Sequence, residues 1–248
     1  MIPDATYTGS SRASRVHRAP VASALMFRLL IVRHGESTWN AQSRWQGQAD
    51  PPLSPLGERQ AEEAAERLAQ IASITAVWTS DLVRARRTAE IIATRLGVGH
   101  VHEEPRLRER DVGVWSGLTR EEIEERWPGY LAEHRSPPDF EGDAALLERS
   151  MAGLLAAADG SGPGEVLVVT HGGVVRTIER SLGATPGKLP NLGGRWIVGP
   201  SADRLKLSER VVLVEPDDMT VPGEESEQDA VNRRDSAPVP PPDRTPPA

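Results

Sequence analysis

One stretch, LLIVRHGESTWN from Leu29 to Asn40, constrains the fold of this chain more than any other. Its apolar start, Leu29 to Val32, predicts a buried strand that ends abruptly in Arg33 and His34. In open α/β sheets, ligands bind just beyond the carboxyl ends of the strands. An Arg and a His are costly to desolvate there, and Gly35 allows a sharp turn beside them. These two residues alone predict either a solvated junction or a ligand site.

Strands and helices alternate along the rest of the chain. Further strands are predicted at Ala76–Thr79, Val98–His102, Val166–Thr170, Trp196–Val198, Leu205–Leu207 and Val211–Val214. Helices are predicted at Pro55–Gln70 behind a Ser54 cap, Leu82–Leu96 behind Ser80-Asp81, Arg120–Trp127 behind a Thr119/Glu122 capping box, Asp143–Ala158, and after His171 to Leu182. Leu56, Ala64, Leu68 and Ile71 are expected to share one side of the first helix. This alternation predicts a three-layer α/β/α fold with a mostly parallel central sheet.

Composition divides the 248 residues into three parts. Residues 1–25 are rich in Ser, Ala and Arg without periodicity, which predicts a disordered leader. Residues 26–215 are expected to form one domain. Residues 216–248 are acidic and rich in proline, which predicts a disordered tail.

Composition also restricts the partners. The chain has no cysteine, which excludes disulfides and thiolate metal sites. A net charge of −7 argues against nucleic-acid binding, and no apolar run approaches the ~20 residues that span a bilayer. We therefore expect a cytoplasmic protein with neither nucleic acid nor membrane as a partner. The oligomeric state is left open, with a dimer as one alternative.

Three titratable residues outside the opening stretch lie at positions where a catalytic site would need them. Arg84 follows the strand end at Ser80, Glu109 lies in an irregular loop, and His171 follows a buried strand and precedes two glycines. Each of them alone has an ordinary interpretation. Arg84 could be solvated, Glu109 could be one surface charge among many, and His171 could have a structural role. The two His and Glu109 could also bind a metal, but adjacent arginines would repel a cation. We predict no metal and no cofactor.

The motifs together resemble the histidine phosphatase superfamily, which includes the cofactor-dependent phosphoglycerate mutases. RHGESTWN, PLSPLGERQA, SDLVRARRTA, LRERDVGVWSGLT and VVTHGG occur in the order typical of that superfamily and cover Leu29 to Leu182. The resemblance implies a phosphoglycerate mutase-like fold and a phosphohistidine intermediate.

The resemblance also implies the role of each residue. His34 would be the nucleophile, Glu109 the proton donor to the leaving oxygen, and Arg33, Arg84 and His171 would bind phosphate. The rim of the phosphate site would comprise Asn40, Gln46, Gly47 and the helix start at Gly172. The nearby arginines should lower the pKa of His34 and keep it neutral, and its second ring nitrogen needs an acceptor, which we expect to be a backbone carbonyl.

The short segment from Gly117 to Glu148 favours a phosphatase over a mutase. The mutases carry a longer insertion there, of which only SPPDF (Ser136 to Phe140) is a faint trace. The phosphatases usually show GGES before the next helix, whereas this chain has FEGDAALLERS, with Asp143 where the Glu is expected. LPNLGG faintly resembles the glucosyl-3-phosphoglycerate phosphatases.

The prediction is a metal-independent phosphoric monoester hydrolase whose partner is a small phosphorylated metabolite. Two alternatives stay open: a phosphoglycerate mutase-type transferase, and a non-catalytic scaffold whose Pro-rich tail binds an aromatic groove.

Overall fold

The computed structural model describes residues 27–200 and 204–215. The strands are β1 (Phe27–Arg33), β2 (Ile74–Thr79), β3 (Val101–Glu103), β4 (Glu165–Thr170), β5 (Gly193–Gly199) and β6 (Lys206–Val212). The helices are α1 (Pro55–Ile71), α2 (Val83–Leu96), α3 (Arg120–Arg126), α4 (Asp143–Gly160) and α5 (Gly172–Ser181), with short 3₁₀ turns at Pro105–Leu107 and Gly113–Trp115. The predicted leader and tail lie outside the described residues.

The strands form one six-stranded sheet in the order β3-β2-β4-β1-β5-β6. β1 pairs in parallel with β4, β4 with β2, and β2 with β3. β5 runs antiparallel to both of its neighbours, β1 and β6. The mixed α/β fold with a largely parallel sheet is as predicted. β1 and β4 are central, so their carboxyl ends lie side by side in the middle of one edge.

Alternate residues of the central strands point to opposite faces of the sheet. Both sets are apolar, and helices cover both faces. Leu30 and Val32 pack with α1 and α2 on one face. Leu29 and Ile31 pack with α4 and α5 on the other. Both faces of β1 are therefore buried, which explains its uninterrupted apolar run.

Two of the three predicted helix caps are correct. Ser54 Oγ accepts the Gly57 N–H at 3.0 Å, and Thr119 and Glu122 form the reciprocal capping box of α3. The predicted Ser80-Asp81 cap of α2 is wrong. Asp50 Oδ1, from a distant loop, accepts the Val83 N–H at 2.6 Å, while Asp81 forms a bidentate ion pair with Arg108.

Several boundaries also differ. The predicted strands Leu205–Leu207 and Val211–Val214 overlap the two ends of one edge strand, β6, whose middle is polar. Leu205, Leu213 and Val214 lie outside that strand. The strand predicted from Val98 begins only at Val101, and the apolar segment Trp196–Val198 is the centre of a longer β5 that begins and ends with glycine. Ile71 ends α1 with 48% of its surface exposed, so it is not part of the core side of that helix.

A third, aromatic-rich cluster lies outside the two sheet faces. Trp45 and Trp115 are buried in edge-to-face contact, with ring centroids 5.2 Å apart. Trp127 and Phe140 also contact Trp115. The cluster joins the segment that follows Glu109 to the loop that carries Gln46 and Gly47. Within the described ranges, no helix has the length and apolar character needed to cross a membrane.

Candidate active site

The two histidines lie at the carboxyl ends of β1 and β4. Arg33 pairs with Thr170 in the sheet, and the His34 N–H donates to the Thr170 carbonyl at 2.9 Å. This register places the His34 and His171 rings edge to face, with centroids 5.1 Å apart. Both side chains are buried. The two similar strand–His–Gly segments of the sequence therefore form one site.

The tautomer of His34 follows from its contacts. His34 Nδ1 lies 2.6 Å from the Gly35 carbonyl oxygen, which can only accept, so Nδ1 carries the proton. The lone pair is then on Nε2, and the Nε–H of Arg84 donates to it at 3.2 Å. The acceptor expected for the second ring nitrogen is thus the Gly35 carbonyl. Nε2 is the ring atom that is available for bond formation.

Burial and neighbouring cations keep both imidazoles neutral. Desolvation, followed by the charges of Arg84 and Arg33, holds the pKa of His34 well below its ordinary value. Desolvation, followed by the charge of Arg84 and the neighbouring His34, lowers the pKa of His171 in the same way. His171 has no hydrogen-bond partner on either ring nitrogen. Both ring nitrogens therefore keep their hydrogen-bonding capacity for a bound anion.

Arg84 is held rigidly at the start of α2. Its Nη1 donates to the Ala49 carbonyl at 2.7 Å and its Nη2 to the Gly47 carbonyl at 2.9 Å. The side chain is fully buried. Both carbonyls belong to the loop between β1 and α1, which therefore fixes the guanidinium plane against His34.

Arg33 and the residue after it are fixed by the loop before β5. Arg33 is fully buried, and its Nη1 donates to the Leu189 carbonyl at 3.2 Å. The Asn191 Nδ2 donates to the His34 carbonyl at 2.8 Å. Leu192 adopts a positive φ of 55° and donates its N–H to the Arg33 carbonyl. Sequence reasoning did not assign a site role to Asn191, because nothing local indicates a contact across 157 residues.

The predicted rim residues meet around Ser37. Asn40 Oδ1 accepts the Ser37 N–H at 3.1 Å, and Gln46 Oε1 accepts the Ser37 hydroxyl at 2.8 Å. Gly47 holds Arg84 as described, and Gly172 is the first residue of α5, directly after His171. The rim residues therefore lie next to the turn that carries His34, but Asn40 and Gln46 bind protein groups there.

Glu109 is joined to the His171 segment. Its Oε2 accepts the Gly173 N–H at 3.0 Å and its Oε1 accepts the Arg110 N–H at 2.7 Å. A methyl group on Gly173 would overlap with the Glu109 carboxylate. The carboxylate is nearly buried. The structure thus brings the predicted Arg, His and Glu residues to one edge of the sheet.

Asp143, which stands where the phosphatases usually have the Glu of GGES, contacts the residue after Glu109. Asp143 begins α4 and accepts from Arg110 at 2.5 Å. Glu141 contacts the same loop, because it accepts the Asp111 N–H and pairs with Arg149. Arg110 and Arg149 were not predicted as site residues, because the sequence around them is rich in ordinary surface charges.

The assembled groups suit transfer of an anionic group. A neutral imidazole with a defined lone pair lies among two buried arginines, a second neutral imidazole and a carboxylate. Across residues 27–200 and 204–215, no group of three or more His, Cys, Asp or Glu side chains could hold a metal ion. Planar guanidinium groups match phosphate oxygens.

Comparison with known proteins identifies relatives for most of the chain. The family model of the histidine phosphatase superfamily (branch 1) matches residues 29–194. The metal-independent phosphoserine phosphatase of Arabidopsis thaliana is 39% identical over 197 residues, which cover 73% of this chain and 83% of that protein. The phosphoglycerate mutase-like protein 4 of the same plant is 38% identical over 157 residues, covering 60% and 68%. A mycobacterial glucosyl-3-phosphoglycerate phosphatase structure has a TM-score of 0.64 at 30% identity, covering 73% and 96%.

Proposed function

We propose that this chain, which belongs to the histidine phosphatase superfamily, hydrolyses small phosphate monoesters without a metal, through a phosphohistidine on His34. Its relatives include phosphatases and phosphoglycerate mutase-like proteins. The observation that carries the proposal is the His34 ring itself. Its Nδ1–H donates to the Gly35 carbonyl, and its Nε2 lone pair accepts from the Arg84 guanidinium, with both side chains buried.

The first step forms a bond between His34 Nε2 and phosphorus. The substrate phosphate takes over the Arg84 N–H that now occupies Nε2, and Arg33 and His171 add further donors around its oxygens. As the P–N bond forms, the P–O bond to the leaving group breaks. Glu109 gives its proton to that oxygen, so the leaving group departs as a neutral alcohol.

The second step regenerates the enzyme. A water molecule attacks phosphorus on the phosphohistidine, and Glu109, now a carboxylate, takes its proton. The P–N bond breaks and the electron pair returns to Nε2, so inorganic phosphate leaves and His34 is neutral again. The fixed arginines stabilise the spread negative charge in both steps.

The relatives suggest two substrates to test first. One is phosphoserine and the other is glucosyl-3-phosphoglycerate, each taken from the name of one related phosphatase. Both carry a carboxylate near the phosphate ester. Relative kcat/KM values across a panel of phosphorylated metabolites would rank these two against other esters.

The experiment that tests the proposal is hydrolysis in the presence of EDTA. Wild type should release phosphate from p-nitrophenyl phosphate and form an acid-labile phosphoenzyme, while His34→Ala should lose turnover by about 10⁴-fold or more and lose the phosphoenzyme. His34→Ala with wild-type turnover, or strict dependence on added metal, would overturn the mechanism.

Phosphoglycerate mutase activity is the second candidate, because one relative is a phosphoglycerate mutase-like protein. Incubation with 3-phosphoglycerate, with and without 2,3-bisphosphoglycerate, separates the two activities. Release of inorganic phosphate supports the phosphatase, and formation of 2-phosphoglycerate supports the mutase.

A further inference from the structure

Arg149, on α4, makes an unusually complete set of hydrogen bonds outside the pocket. Its Nε and Nη2 donate to the two carboxylate oxygens of Glu141 at 2.6 and 2.7 Å. Its Nη1 donates to the carbonyls of Arg106 and Arg108 at 2.9 and 2.6 Å. Its Nη2 also donates to the carbonyl of Glu109 at 2.9 Å. All of its guanidinium N–H groups therefore have acceptors.

These acceptors surround one short segment. Three of them are backbone carbonyls of residues 106–109, so Arg149 holds the backbone up to and including Glu109. Its partner Glu141 holds the other side, because Glu141 Oε2 accepts the Asp111 N–H at 3.1 Å and the Glu141 N–H donates to the Asp111 carbonyl at 2.8 Å. The Arg149–Glu141 pair thus fixes the backbone on both sides of the Glu109 carboxylate.

Other side chains also contact this segment: Arg108 pairs with Asp81, Arg110 pairs with Asp143, and Gln48 Nε2 donates to the Glu109 carbonyl at 3.3 Å. Residues 108–112 have neither helical nor strand structure, so no regular backbone ladder sets the position of Glu109. The Glu109 side chain contacts the backbone N–H groups of Arg110 and Gly173. Arg149 differs from these groups because it contacts three backbone carbonyls of residues 106–109 at once, so the location of the Glu109 Cα depends strongly on it.

We infer that Arg149, paired with Glu141, is the positioning residue for the Glu109 proton donor. This inference rests on the proposed function. Arg149 does not act on the substrate. It holds the Glu109 carboxyl at the place where the leaving oxygen is protonated, and a misplacement of about 1 Å costs on the order of a hundredfold in rate.

A series of substituted phenyl phosphates tests this role. p-Nitrophenolate leaves readily without a proton, whereas phenolate is more basic and depends more on the general acid. Loss of proton donation should therefore lower kcat/KM little for p-nitrophenyl phosphate and strongly for phenyl phosphate. Because kcat/KM reports the steps up to the first irreversible one, slow phosphohistidine hydrolysis does not hide the effect.

Arg149→Met should lower kcat/KM about tenfold or less for p-nitrophenyl phosphate and about a hundredfold for phenyl phosphate, by analogy with a displaced general acid. Glu109→Gln should show the same dependence on the leaving group. In the Glu109→Gln background, Arg149→Met should cost little more, because the group that it positions is already absent.

Controls separate positioning from loss of structure. Arg210→Met removes a similar bidentate pair, which joins β6 to the buried Glu179 of α5, and should leave the dependence on the leaving group unchanged. If Arg149→Met does not fold, Arg149→Lys and Glu141→Gln remove the bidentate pairing while keeping the size of the side chains. Both should steepen the dependence on the leaving group.

Equal losses across the series in folded Arg149 variants, or full additivity with Glu109→Gln, would overturn the inference while the proposed function stands. A wild-type chain that hydrolyses none of the esters would overturn the proposed function and the inference with it.

Discussion

Arg84 has two roles toward His34, since it donates to Nε2 and its charge lowers the pKa of the ring. Arg84→Gln should raise the pKa of His34, because a cation that disfavours imidazolium is lost. Burial, which is the larger cause, stays in place, so the pKa should still lie below the ordinary value of about 6.5. Titration of the imidazole nitrogens by NMR measures this directly.

A charge removed elsewhere serves as the control for that titration. Arg95→Gln removes an exposed cation that pairs with Glu62 on the helix surface and should leave the His34 curve unchanged. A wild-type His34 that titrates at its ordinary value would contradict the burial argument.

Gly173 is the second residue whose substitution has a defined consequence. Its Cα faces the Glu109 carboxylate so closely that alanine would displace that group. Gly173→Ala should lower kcat for phenyl phosphate by about tenfold to a hundredfold, because Glu109, the proposed proton donor, moves. Gly99→Ala, where a methyl group meets nothing within 4 Å, is the matched control. Unchanged kcat in Gly173→Ala would show that the Glu109 position tolerates the shift.

At the scale of the elements, local sequence signals predicted which helices and strands form more accurately than where they begin and end. The β1 and β4 strands were evident because both of their faces are buried, so apolar residues run without interruption. Ser54 and Thr119 were evident because a cap bonds within three residues. β6 was divided into two strands because Ser208, Glu209 and Arg210 interrupt its apolar ends at an exposed edge.

The contacts that sequence reasoning missed are all long-range. Asp50 caps α2 from another loop, Asn191 reaches the His34 carbonyl, and Arg149 holds the segment of Glu109. Each uses a polar residue type that is common on surfaces, so its partner is defined only by the folded topology. Motif spacing therefore predicted the groups that meet at the strand ends, and did not predict the groups that hold them in place.

The cap of α1 is also a link to the turn after His34. Ser54 Oγ accepts the Gly57 N–H and donates to Glu36 Oε1 at 2.7 Å. Glu36 is nearly buried. Ser54→Ala should lower the free energy of unfolding by about 1–3 kcal/mol, because the helix cap is lost and the buried Glu36 carboxylate loses its donor.

Urea denaturation measures that loss. Ser54→Thr keeps the hydroxyl and should recover most of the stability. Ser208→Ala, which removes a hydroxyl from an exposed pair with Glu209, should change the stability by less than about 0.5 kcal/mol. A Ser54→Ala variant as stable as wild type would contradict the double role of Ser54.

For the whole molecule, the buried neutral histidines make stability depend on pH. His34 and His171 have lowered pKa values in the folded state. In the unfolded chain the same histidines have the ordinary pKa of about 6.5. Below that pH the unfolded state binds more protons than the folded state, so stability falls as the pH decreases. Each histidine contributes up to about 1.4 kcal/mol per pH unit within this window.

Unfolding curves measured between pH 7.5 and about 5 test this slope. His34→Asn/His171→Asn should flatten it. His102, whose pKa is also lowered by burial and by His100, adds in the same direction and remains in the variant. The pKa values of Asp81 and Glu104, lowered by their pairs with Arg108 and Arg106, matter only at still lower pH. A slope that the double substitution does not reduce would contradict the prediction.

The position of β1 in the sheet affects how the chain can fold while it is being synthesised. This strand leaves the ribosome before all other described elements, but its neighbours are β4 and β5, near the other end of the domain. Arg28 pairs with Glu165, and Phe27 pairs with Gly199. A nascent chain therefore exposes its most apolar strand until nearly the whole domain has been synthesised. Pairing between strands so distant in the sequence slows folding, and the exposed apolar strand makes assistance from chaperones useful.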